Sequence, residues 1–422
     1  MAERVITVVG AGTGGPAPSL PDGDAVPDAG LVVGAARHLE SAAWPAGVRR
    51  LVLGPLAPAL DAIEAHLTEG RGPVVVLASG DPGFFGIVRA LGERFGPAAL
   101  EVRPSSPSVA VAFARLGLSW DDAVVVSAHG RDLRTAVNVC RAHRKVAVLT
   151  GPGAGPGELA AALDRAGVTR ELVVAAGLGT ESETVQRLSP RAAAGRDWPD
   201  AVSVVLCLGP QRELVAARPR TLAGPPPAPA GWALPEDAFA HRDSMVTKAE
   251  VRALALARLG PRTGELVWDI GAGSGSVGVE CARFGAAVVA VERDPRDAAR
   301  VRANAAAHGV DVAVICGAAP EVLGELPDPD AVFVGGGGQE LAAIVAECGR
   351  RARRCVVVTL AAVDRVAEVR AALRSAGLVP DGVLLQSSRL APLPGEVVRL
   401  AAGNPVFVLW GSRPAVVEGA HA

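Results

Sequence analysis

The chain has 422 residues, of which 50% are hydrophobic and 20% charged, and its formal net charge is −2. That length is enough for two or more packed domains, and the near-zero charge argues against bulk electrostatic attraction to nucleic acid. Only Lys145 and Lys248 are lysines, so 40 of the 42 basic residues are arginines. Arginine binds carboxylates through paired hydrogen bonds and would suit a polycarboxylate ligand. A GC-rich genome explains the same composition.

The amino terminus and the cysteines predict where the protein works. The opening MAERVITVVGAG leads directly into a predicted strand, without the basic segment and long apolar core of a signal peptide. No uninterrupted apolar run is long enough to span a membrane. None of the six cysteines forms a C-x-x-C pair. We therefore expect a cytoplasmic protein with reduced thiols and no metal site.

A proline cluster divides the chain. Residues 218–231 read RPRTLAGPPPAPAG, which can form neither a helix interior nor a central strand. Such a segment predicts a semi-rigid spacer. We therefore expect an N-terminal domain at 1–212, a linker at 213–235 and a C-terminal domain at 236–422.

The N-terminal part alternates short apolar runs with helical patterns, which predicts an α/β fold. Helices are predicted at 58–68 and 108–116, and residues 103–107 (Arg-Pro-Ser-Ser-Pro) are predicted to be a hinge between two halves. The predicted strands are 6–9, 31–33, 51–53, 74–78, 124–127, 146–149, 172–175 and 202–208.

Residues 10–15 (GAGTGG) match the G-x-G-x-x-G pattern of dinucleotide-binding folds. Pro16, Pro18 and Pro21 follow at once, so no phosphate-binding helix could continue through them. An NAD-dependent oxidoreductase is therefore an alternative, and one that the prolines argue against.

The C-terminal part predicts a parallel, doubly wound sheet that ends in a hairpin. Its predicted helices are 276–284, 295–308, 339–350 and 363–376. Its predicted strands are 267–270, 287–292, 312–316, 331–334, 355–359, 382–385 and 406–410.

A glycine-rich loop follows the first of these strands. Gly271, Gly273 and Gly275 alternate with Ala272 and Ser274, and glycines let the backbone approach a ligand closely. Ser276 stands where a dinucleotide fingerprint needs glycine, so the pattern favours S-adenosylmethionine (SAM) over NAD. Glu292 ends the next strand, where a carboxylate can accept the ribose hydroxyls of an adenosine. The loop resembles the first motif of class I SAM methyltransferases.

Other residues extend this predicted site. Gly317, Ala318 and Ala319 follow the third strand, where small residues leave room for adenine. Gly335, Gly336, Gly337 and Gly338 follow the fourth strand, and their backbone entropy cost suggests close approach of a ligand. Upstream, Thr247 and Glu250 predict a capping box at the start of a helix.

From Thr247 onward, the segments WDIGAGSGSVGVE, GAAPEVL, PDPDAVFVGGGG and the late Asn404-Pro405-Val406 resemble precorrin methyltransferases of the CbiT type over nearly all of 236–422. This resemblance implies methylation of C15 of the tetrapyrrole and loss of the carboxyl group of the C12 acetate. It implies SAM contacts at Thr247, Gly271–Gly275, Glu292 and Gly317–Ala319. The polar residues expected near the fifth strand are replaced by residues 351–361 (RARRCVVVTLA).

The N-terminal part resembles the tetrapyrrole methylase family, with its best match in the CbiE type, over residues 4 to about 210. The resemblance lies in residues 9–15, 78–86 (ASGDPGFFG), 104–108, 127–131 (SAHGR) and 150–153. That family binds SAM between two α/β halves. The implied SAM residues are Gly10, Gly80, Asp81, Pro82, Ser105, Ser106 and Gly151.

Two residues of this half have local interpretations beside the functional one. Asp81 could simply form an Asx turn, and His129 could be an ordinary loop histidine. The proposed binders of the substrate's carboxylates or ring are His129, Arg131, Gly335, Gly336, Gly337 and Arg389.

Together the resemblances imply a fold with an N-terminal two-lobed tetrapyrrole methylase domain and a C-terminal Rossmann-like class I SAM methyltransferase domain. They imply methylation of precorrin-6Y, or its cobalt form, at C5 and C15 with decarboxylation, in cobalamin biosynthesis. Because the sulfonium of SAM is already a good leaving group, the sequence need not and does not single out catalytic residues. A homo-oligomer with a tetrapyrrole substrate and no nucleic-acid partner is expected. The second alternative is that one domain has lost catalysis and serves as a SAM-binding scaffold.

Overall fold

A computed structural model describes residues 5–11, 29–40, 44–199, 202–210, 214, 222–224, 229–242 and 246–414. The described chain divides into two compact units, one within Met1–Asp132 and Lys145–Gly224, the other within Leu133–Arg144 and Pro225–Ala422. Much of the predicted linker, including 215–221 and 225–228, lies outside the described residues, as do Gly12–Gly15 of the N-terminal glycine pattern. The predicted domain boundaries stay predictions.

The first unit begins with a parallel five-stranded sheet. The strand order is β3-β2-β4-β1-β5. The strands are β1 (Ile6–Gly10), β2 (Leu31–Gly34), β3 (Arg49–Val52), β4 (Val74–Ala78) and β5 (Leu100–Arg103). The helices are α1 (Ala36–Glu40), α2 (Leu56–Thr68) and α3 (Val88–Phe95). Valine- and isoleucine-rich strands such as β1 and β4 are almost fully buried, as is usual in a parallel sheet with both faces covered.

A second sheet of five strands follows in the same unit, with the order β6-β7-β10-β8-β9. Only β6 and β7 are parallel, and the other neighbours are antiparallel. The strands are β6 (Val124–Ser127), β7 (Lys145–Leu149), β8 (Glu171–Ala176), β9 (Thr184–Leu188) and β10 (Ser203–Leu208). The helices of this stretch of chain are α4 (Ser108–Arg115), α5 (Leu133–Ala142), α6 (Pro156–Arg165) and α7 (Pro190–Ala194).

The predicted hinge at residues 103–107 joins the two sheets. It leads from β5 of the first sheet into α4, whose Val109 and Phe113 are buried in the core of the second. The two lobes predicted for the N-terminal half are thus confirmed. Strands β5 and β9 were not predicted, because their alternating charged residues hide the apolar pattern.

The second unit contains a seven-stranded sheet with the order β13-β12-β11-β14-β15-β19-β16. Its first five strands are parallel, and β19 is antiparallel to both of its neighbours. The strands are β11 (Leu266–Ile270), β12 (Ala287–Glu292), β13 (Ala313–Cys316), β14 (Ala331–Val334), β15 (Cys355–Leu360), β16 (Val379–Leu385) and β19 (Val406–Ser412). The helices are α8 (Ala249–Leu259), α9 (Ser276–Arg283), α10 (Pro295–Ala307), α11 (Leu341–Arg351) and α12 (Val366–Ser375).

Apolar cores cover both faces of this sheet. Leu266, Trp268 and Ile270 of β11 point into one core, whereas Val267 points into the other, as the alternation along a strand requires. The predicted antiparallel end is confirmed by the pairing of β16 with β19. Between them the chain forms an unpredicted hairpin, β17 (Ser388–Leu393) with β18 (Val397–Ala402). Among the described helices, none is long and apolar enough to cross a membrane.

Candidate functional site

The carboxyl ends of β11 and β14 form a crevice in the C-terminal sheet. From β11 the chain continues to β12 on one side, whereas from β14, its other neighbour, it continues to β15 in the opposite direction. The connections leave in opposite directions there, so neither covers the strand ends, and ligands of open α/β sheets bind at such switch points. The glycine loop 271–275 follows β11, and the glycines 335–338 follow β14.

The glycine loop has a backbone that requires glycine. Gly271, Gly273 and Gly275 all have positive φ, at 67°, 56° and 73°. A Cβ on Gly271 would lie 3.0 Å from the nitrogen of Gly336, and a Cβ on Gly275 would lie 2.7 Å from the Val301 side chain. The two glycine runs therefore touch each other at Gly271 and Gly336, and Gly271 and Gly275 have no room for a side chain.

Glu292 holds this loop from the neighbouring strand. Its Oε2 accepts a hydrogen bond of 2.8 Å from the nitrogen of Gly273, and its Oε1 accepts one of 3.0 Å from Asp294. The residue is only 8% exposed, so the carboxylate is not an ordinary solvated acid at a strand end. A carboxylate has about four acceptor positions. Two of them are used here, which leaves capacity for ligand hydroxyls.

Asp269 is a second acid beneath the same loop. It is 1% exposed, its Oδ2 accepts a hydrogen bond of 2.8 Å from the nitrogen of Gly278, and its Oδ1 has no partner among the described residues. Burial, with a smaller contribution from the charge of Glu292, raises the pKa of Asp269 to about 7. Sequence reasoning noted this acid without assigning it a role, because its burial is a tertiary property.

The four glycines after β14 serve different purposes. The nitrogen of Gly335 donates a hydrogen bond of 2.9 Å to Ile270, and a Cβ there would lie 3.0 Å from the Phe333 ring. A Cβ on Gly337 would lie 2.9 Å from the Cα of Leu341. A Cβ on Gly336 or on Gly338 would meet nothing within 4 Å, so these two glycines have open space beside them.

The turn after β13 closes the crevice on its other side. The nitrogen of Gly317 donates a hydrogen bond of 3.0 Å to the carbonyl of Glu292. A Cβ on Gly317 would lie 2.5 Å from Val322, so this glycine has a packing reason of its own. Ala318 and Ala319 follow it, and the Ala319–Pro320 peptide is cis.

The capping box predicted at Thr247 is wrong. Helix α8 begins at Ala249 with Lys248 as its N-cap, and no side chain caps it. The Glu250 carboxylate is instead bound by Arg389, and the carbonyl of Thr247 accepts a hydrogen bond from Arg252. The charged hydrogen bonds from Arg389 to Glu250 are stronger than the bond that Glu250 would form to a backbone N–H at the start of the helix, so the capping box does not form.

A buried ion pair lies next to the segment that precedes α8. Arg252 and Glu280 are both fully buried, and their Nε and Oε1 atoms lie 2.9 Å apart. Glu280 also accepts hydrogen bonds from the nitrogens of Ala233 and Leu234, at 2.9 and 2.8 Å. The pair therefore joins the end of the linker region to α8 and α9. It was not found from the sequence, because its partners are 28 residues apart.

Arg389, a predicted substrate residue, is engaged within the chain. Its guanidinium forms two hydrogen bonds each to Glu236 and Glu250, at 2.7 to 2.9 Å. These bonds lower the pKa of Glu236 to about 2. These bonds occupy four of the five N–H donors of the guanidinium, and a role of Arg389 in carboxylate binding stays a prediction.

A second switch point lies in the first sheet of the N-terminal unit. It lies between the neighbours β2 and β4, because the chain leaves β2 toward β3 but leaves β4 toward β5 on the opposite side, and the end of β1 lies on the other side of β4. A Cβ on Gly10, the last residue of β1, would lie 2.7 Å from both the Gly80 carbonyl and the Ser105 Cβ. A Cβ on Gly80 would lie 3.8 Å from the carbonyl of Ser106. Four predicted residues, Gly10, Gly80, Ser105 and Ser106, thus converge at this edge.

Asp81 forms an Asx turn, which was the local interpretation of this residue. Its Oδ1 accepts hydrogen bonds of 2.7 and 3.1 Å from the nitrogens of Gly83 and Phe84. This Asx turn shapes the loop in which Pro82 also lies, and Phe84 packs against the core of the second sheet.

His129 and Gly151 meet at the second sheet. A Cβ on Gly151 would lie 2.3 Å from Nδ1 of His129, so a larger residue would displace the ring. His129 and the nearby Arg131 are exposed.

A basic cluster beside Gly80 was missed from the sequence. Arg37 Nη2 donates a hydrogen bond of 2.7 Å to the hydroxyl of Ser79, and His38 Nε2 lies 2.8 Å from the same oxygen. Burial, and then the charge of Arg37, lowers the pKa of His38. The signal available was their position just after a buried strand, where parallel sheets place functional residues.

Two family models match the chain, one in each half. Residues 5–193 match the tetrapyrrole (corrin/porphyrin) methylases, and residues 237–400 match the precorrin methyltransferase domain. The glycines at the strand ends and the buried carboxylates described above are compatible with the nucleoside cofactor of such enzymes.

Curated relatives extend over both halves. A precorrin-6Y C(5,15)-methyltransferase (decarboxylating) from Sinorhizobium is 38% identical over 75% of this chain and 74% of its own length. A probable cobalt-precorrin-6B C(15)-methyltransferase (decarboxylating) from Pyrobaculum calidifontis is 37% identical over 42% of this chain and 93% of its own length. A cobalt-precorrin-7 C(5)-methyltransferase from Salmonella typhimurium is 34% identical over 48% of this chain and 98% of its own length. On this evidence, the chain belongs to the family of precorrin-6Y C(5,15)-methyltransferases (decarboxylating).

Proposed function

We propose that this protein uses SAM to methylate precorrin-6Y, or its cobalt form, at C5 and C15, with decarboxylation of the C12 acetate, in cobalamin biosynthesis. The observation that carries the proposal is the presence of a switch point in each unit, with glycines beside it, such as Gly10 and Gly271, on which a Cβ would lie within 3.0 Å of neighbouring backbone atoms. Two methyl transfers to one ring call for two such sites, and the relatives named for a single methylation each match less than half of the chain.

In the C-terminal crevice, SAM would be held by the loop Gly271–Gly275. The remaining acceptor positions of Glu292 would bind the ribose hydroxyls, and Gly317, Ala318 and Ala319 would border the adenine. Thr247, whose carbonyl Arg252 fixes, would contact the same cofactor. Gly335, Gly336 and Gly337 would border the ring substrate, and Gly336 offers the open surface for it.

In the N-terminal crevice, SAM would lie against Gly10, Gly80, Asp81 and Pro82 at the ends of β1 and β4. Ser105, Ser106 and Gly151 would complete the cofactor site, and His129 and Arg131 would face the tetrapyrrole carboxylates. The packing of Gly10 on Gly80 and Ser105 supports the first part of this assignment.

Methyl transfer from SAM depends more on how the two reactants are positioned than on acid–base groups. SAM supplies a methyl group on a sulfonium that is already a good leaving group. The task of the protein is to hold an electron-rich ring carbon in line with that methyl, which by itself accelerates the transfer strongly. Decarboxylation would follow where the site removes the hydration shell of the acetate carboxylate and the ring accepts the electron pair of the broken C–C bond.

The experiment that tests the proposal is a calorimetric titration with SAM, joined to mass analysis of the product. We expect two SAM sites per chain and a product that has gained two methyl groups and lost carbon dioxide. Two SAM sites with a single methylation would support the alternative in which one domain is a SAM-binding scaffold, and a single SAM site would contradict both. Tight binding of NAD, or an unmethylated ring, would overturn the proposal. Metal-free and cobalt-containing substrates in parallel would show which form is used.

We also propose that the protein is a homo-oligomer through the β17–β18 hairpin. An isolated two-stranded hairpin is marginally stable in water. Leu390, Val398 and Leu400 lie on one face of it and are 71%, 59% and 69% exposed, whereas Arg389 on the other face binds the body of the unit. A second copy would cover that apolar face isologously. Sedimentation equilibrium should show an oligomer that Leu390→Asp with Leu400→Asp dissociates, and a monomeric wild type would refute this.

A further inference from the structure

Ser79 is the meeting point of two basic side chains at the N-terminal crevice. Its hydroxyl oxygen accepts a hydrogen bond of 2.7 Å from Arg37 Nη2 and lies 2.8 Å from His38 Nε2. Ser79 directly follows β4 and directly precedes Gly80, which packs on Gly10. Arg37 and His38 follow β2, the neighbour of β4 on the side away from β1. The cluster therefore joins the carboxyl ends of β2 and β4, where the chain leaves the two strands in opposite directions.

Arg37 differs from other arginines of its unit in its partner. Arg94, Arg103 and Arg115 each form an ion pair with a glutamate at 2.5 to 2.9 Å. The hydrogen bond described for Arg37 goes instead to a neutral hydroxyl, and the described residues include no carboxylate in an ion pair with it. A guanidinium has five N–H donors. Its orientation is thus set by Ser79 while its charge is not neutralised by a described acid.

His38 contributes orientation more than charge. Burial, together with the neighbouring Arg37, lowers its pKa, which favours the neutral ring near pH 7. A neutral imidazole can exchange a hydrogen bond with Ser79 without repelling the guanidinium. The positive charge of the cluster therefore resides on Arg37, held on a serine at the rim of the site.

We propose that Arg37 binds a peripheral carboxylate of the tetrapyrrole during methylation at C5, and that Ser79 and His38 are positioning residues for its guanidinium. This inference rests on the proposed function, in which the N-terminal unit methylates C5. The substrate of a decarboxylating enzyme carries at least one carboxylate, and a planar guanidinium matches a carboxylate with two parallel hydrogen bonds. An exposed guanidinium that is already held at one amino group loses less conformational entropy on binding than a guanidinium without such a contact.

The test is steady-state kinetics of the full chain, with C5 and C15 methylation followed separately by mass analysis of the products. Arg37→Gln should raise KM for the tetrapyrrole at C5 10-fold or more, about the loss of one charged hydrogen bond. Its kcat at C5, its SAM affinity and its C15 methylation should stay within twofold of wild type. Arg37→Lys should recover part of the KM, since it keeps the charge but not the fork. Ser79→Ala should raise KM less than Arg37→Gln does.

Arg165→Gln is the matched control, since Arg165 is an exposed arginine at the end of α6 in the same unit. An unchanged KM in Arg37→Gln, or an equal change in the control, would overturn the inference while leaving the proposed function in place. A wild-type chain that methylates C15 but not C5 would overturn the proposed role of the N-terminal unit and the inference with it. Because Arg37 is exposed, its substitution should leave the thermal unfolding temperature unchanged.

Discussion

The nitrogen of Gly273 donates a hydrogen bond of 2.8 Å to Oε2 of Glu292. This bond joins the glycine loop after β11 to the end of β12, so the acid expected to bind the ribose also fixes the loop expected to surround the rest of the cofactor. A positively polarised amide against a buried carboxylate is a strong form of hydrogen bond. We therefore expect the conformation of the loop and the affinity for the cofactor to be coupled through Glu292.

Glu292→Gln should weaken SAM binding in the C-terminal unit alone. It removes the charge while keeping the shape of the side chain, and losing a charged hydrogen bond should lower affinity roughly 10- to 100-fold. Calorimetric titration should then show one tight SAM site in place of two. Glu368→Gln, an exposed acid on α12, is the control and should retain both. Unchanged C15 methylation in Glu292→Gln would contradict the ribose assignment.

Gly271→Ala should abolish C15 methylation, and Gly309→Ala should not. Both glycines have φ near +67°, at 67° and 66°, so both variants incur a similar backbone strain of about 1–2 kcal/mol. A Cβ on Gly309 meets nothing within 4 Å, whereas one on Gly271 would lie 3.0 Å from Gly336. The difference between the two variants in SAM affinity and in C15 rate isolates the crowding of the crevice. Equal behaviour of the two would mean that the close approach has no functional role.

Asp269 should make the C-terminal unit less stable as the pH rises from about 4 to 7. The folded protein holds the proton up to a pKa of about 7, whereas the unfolded chain loses it near 3.8. In that window the folded state binds more protons, so the free energy of unfolding falls with rising pH, by about 4 kcal/mol at most.

Asp269→Asn should remove this slope. The check is the calorimetric transition of the C-terminal unit at several pH values, compared between wild type, Asp269→Asn and the exposed control Asp364→Asn. A wild-type curve parallel to that of Asp269→Asn between pH 4 and 7 would show that Asp269 does not titrate there.

Arg252→Met should destabilise the C-terminal unit strongly. It removes the closer of two charge partners of the fully buried Glu280 and leaves only Arg283, at 3.4 Å, and breaking a buried pair costs about 3–5 kcal/mol. Glu347→Gln breaks an exposed pair with Arg350 and should cost less than about 1 kcal/mol. Urea unfolding of both variants measures the contrast. A loss for Arg252→Met as small as that of the control would mean that Arg283 or water compensates the charge of Glu280.

Two substitutions of Asp81 can separate the effect of its charge from the effect of its side-chain shape on the N-terminal unit. Asp81→Asn keeps an Oδ1 that accepts from Gly83 and Phe84, whereas Asp81→Ala removes the acceptor and with it the Asx turn. If the residue acts by shaping the SAM loop, Asn should keep C5 methylation within a few-fold and Ala should lower it at least 10-fold, the loss of about 1.4 kcal/mol. A loss of activity in Asn as large as in Ala would assign the role to the charge.

Much of the fold follows from local patterns in the chain. Apolar runs such as Val74–Ala78 and Ala287–Glu292 are strands because both of their faces are buried. The prediction missed β9, whose pattern is largely polar, and the hairpin of β17 with β18, whose apolar residues are mostly exposed. Those strands form because a neighbouring strand satisfies their backbone groups, which no local pattern reports.

The sequence by itself determined that Gly271, Gly273 and Gly275 would form a loop at a strand end, since alternate glycines after an apolar run specify a backbone of positive φ. It also determined that Glu292 would end the next strand. Only the tertiary structure decided that Glu292 is buried against Gly273, that Asp269 has an oxygen without a partner among the described residues, and that Arg37 meets Ser79 across 42 residues. The physical reason is that backbone conformation is set by neighbours in the chain, whereas burial and charge pairing are set by which distant segments the sheet places side by side.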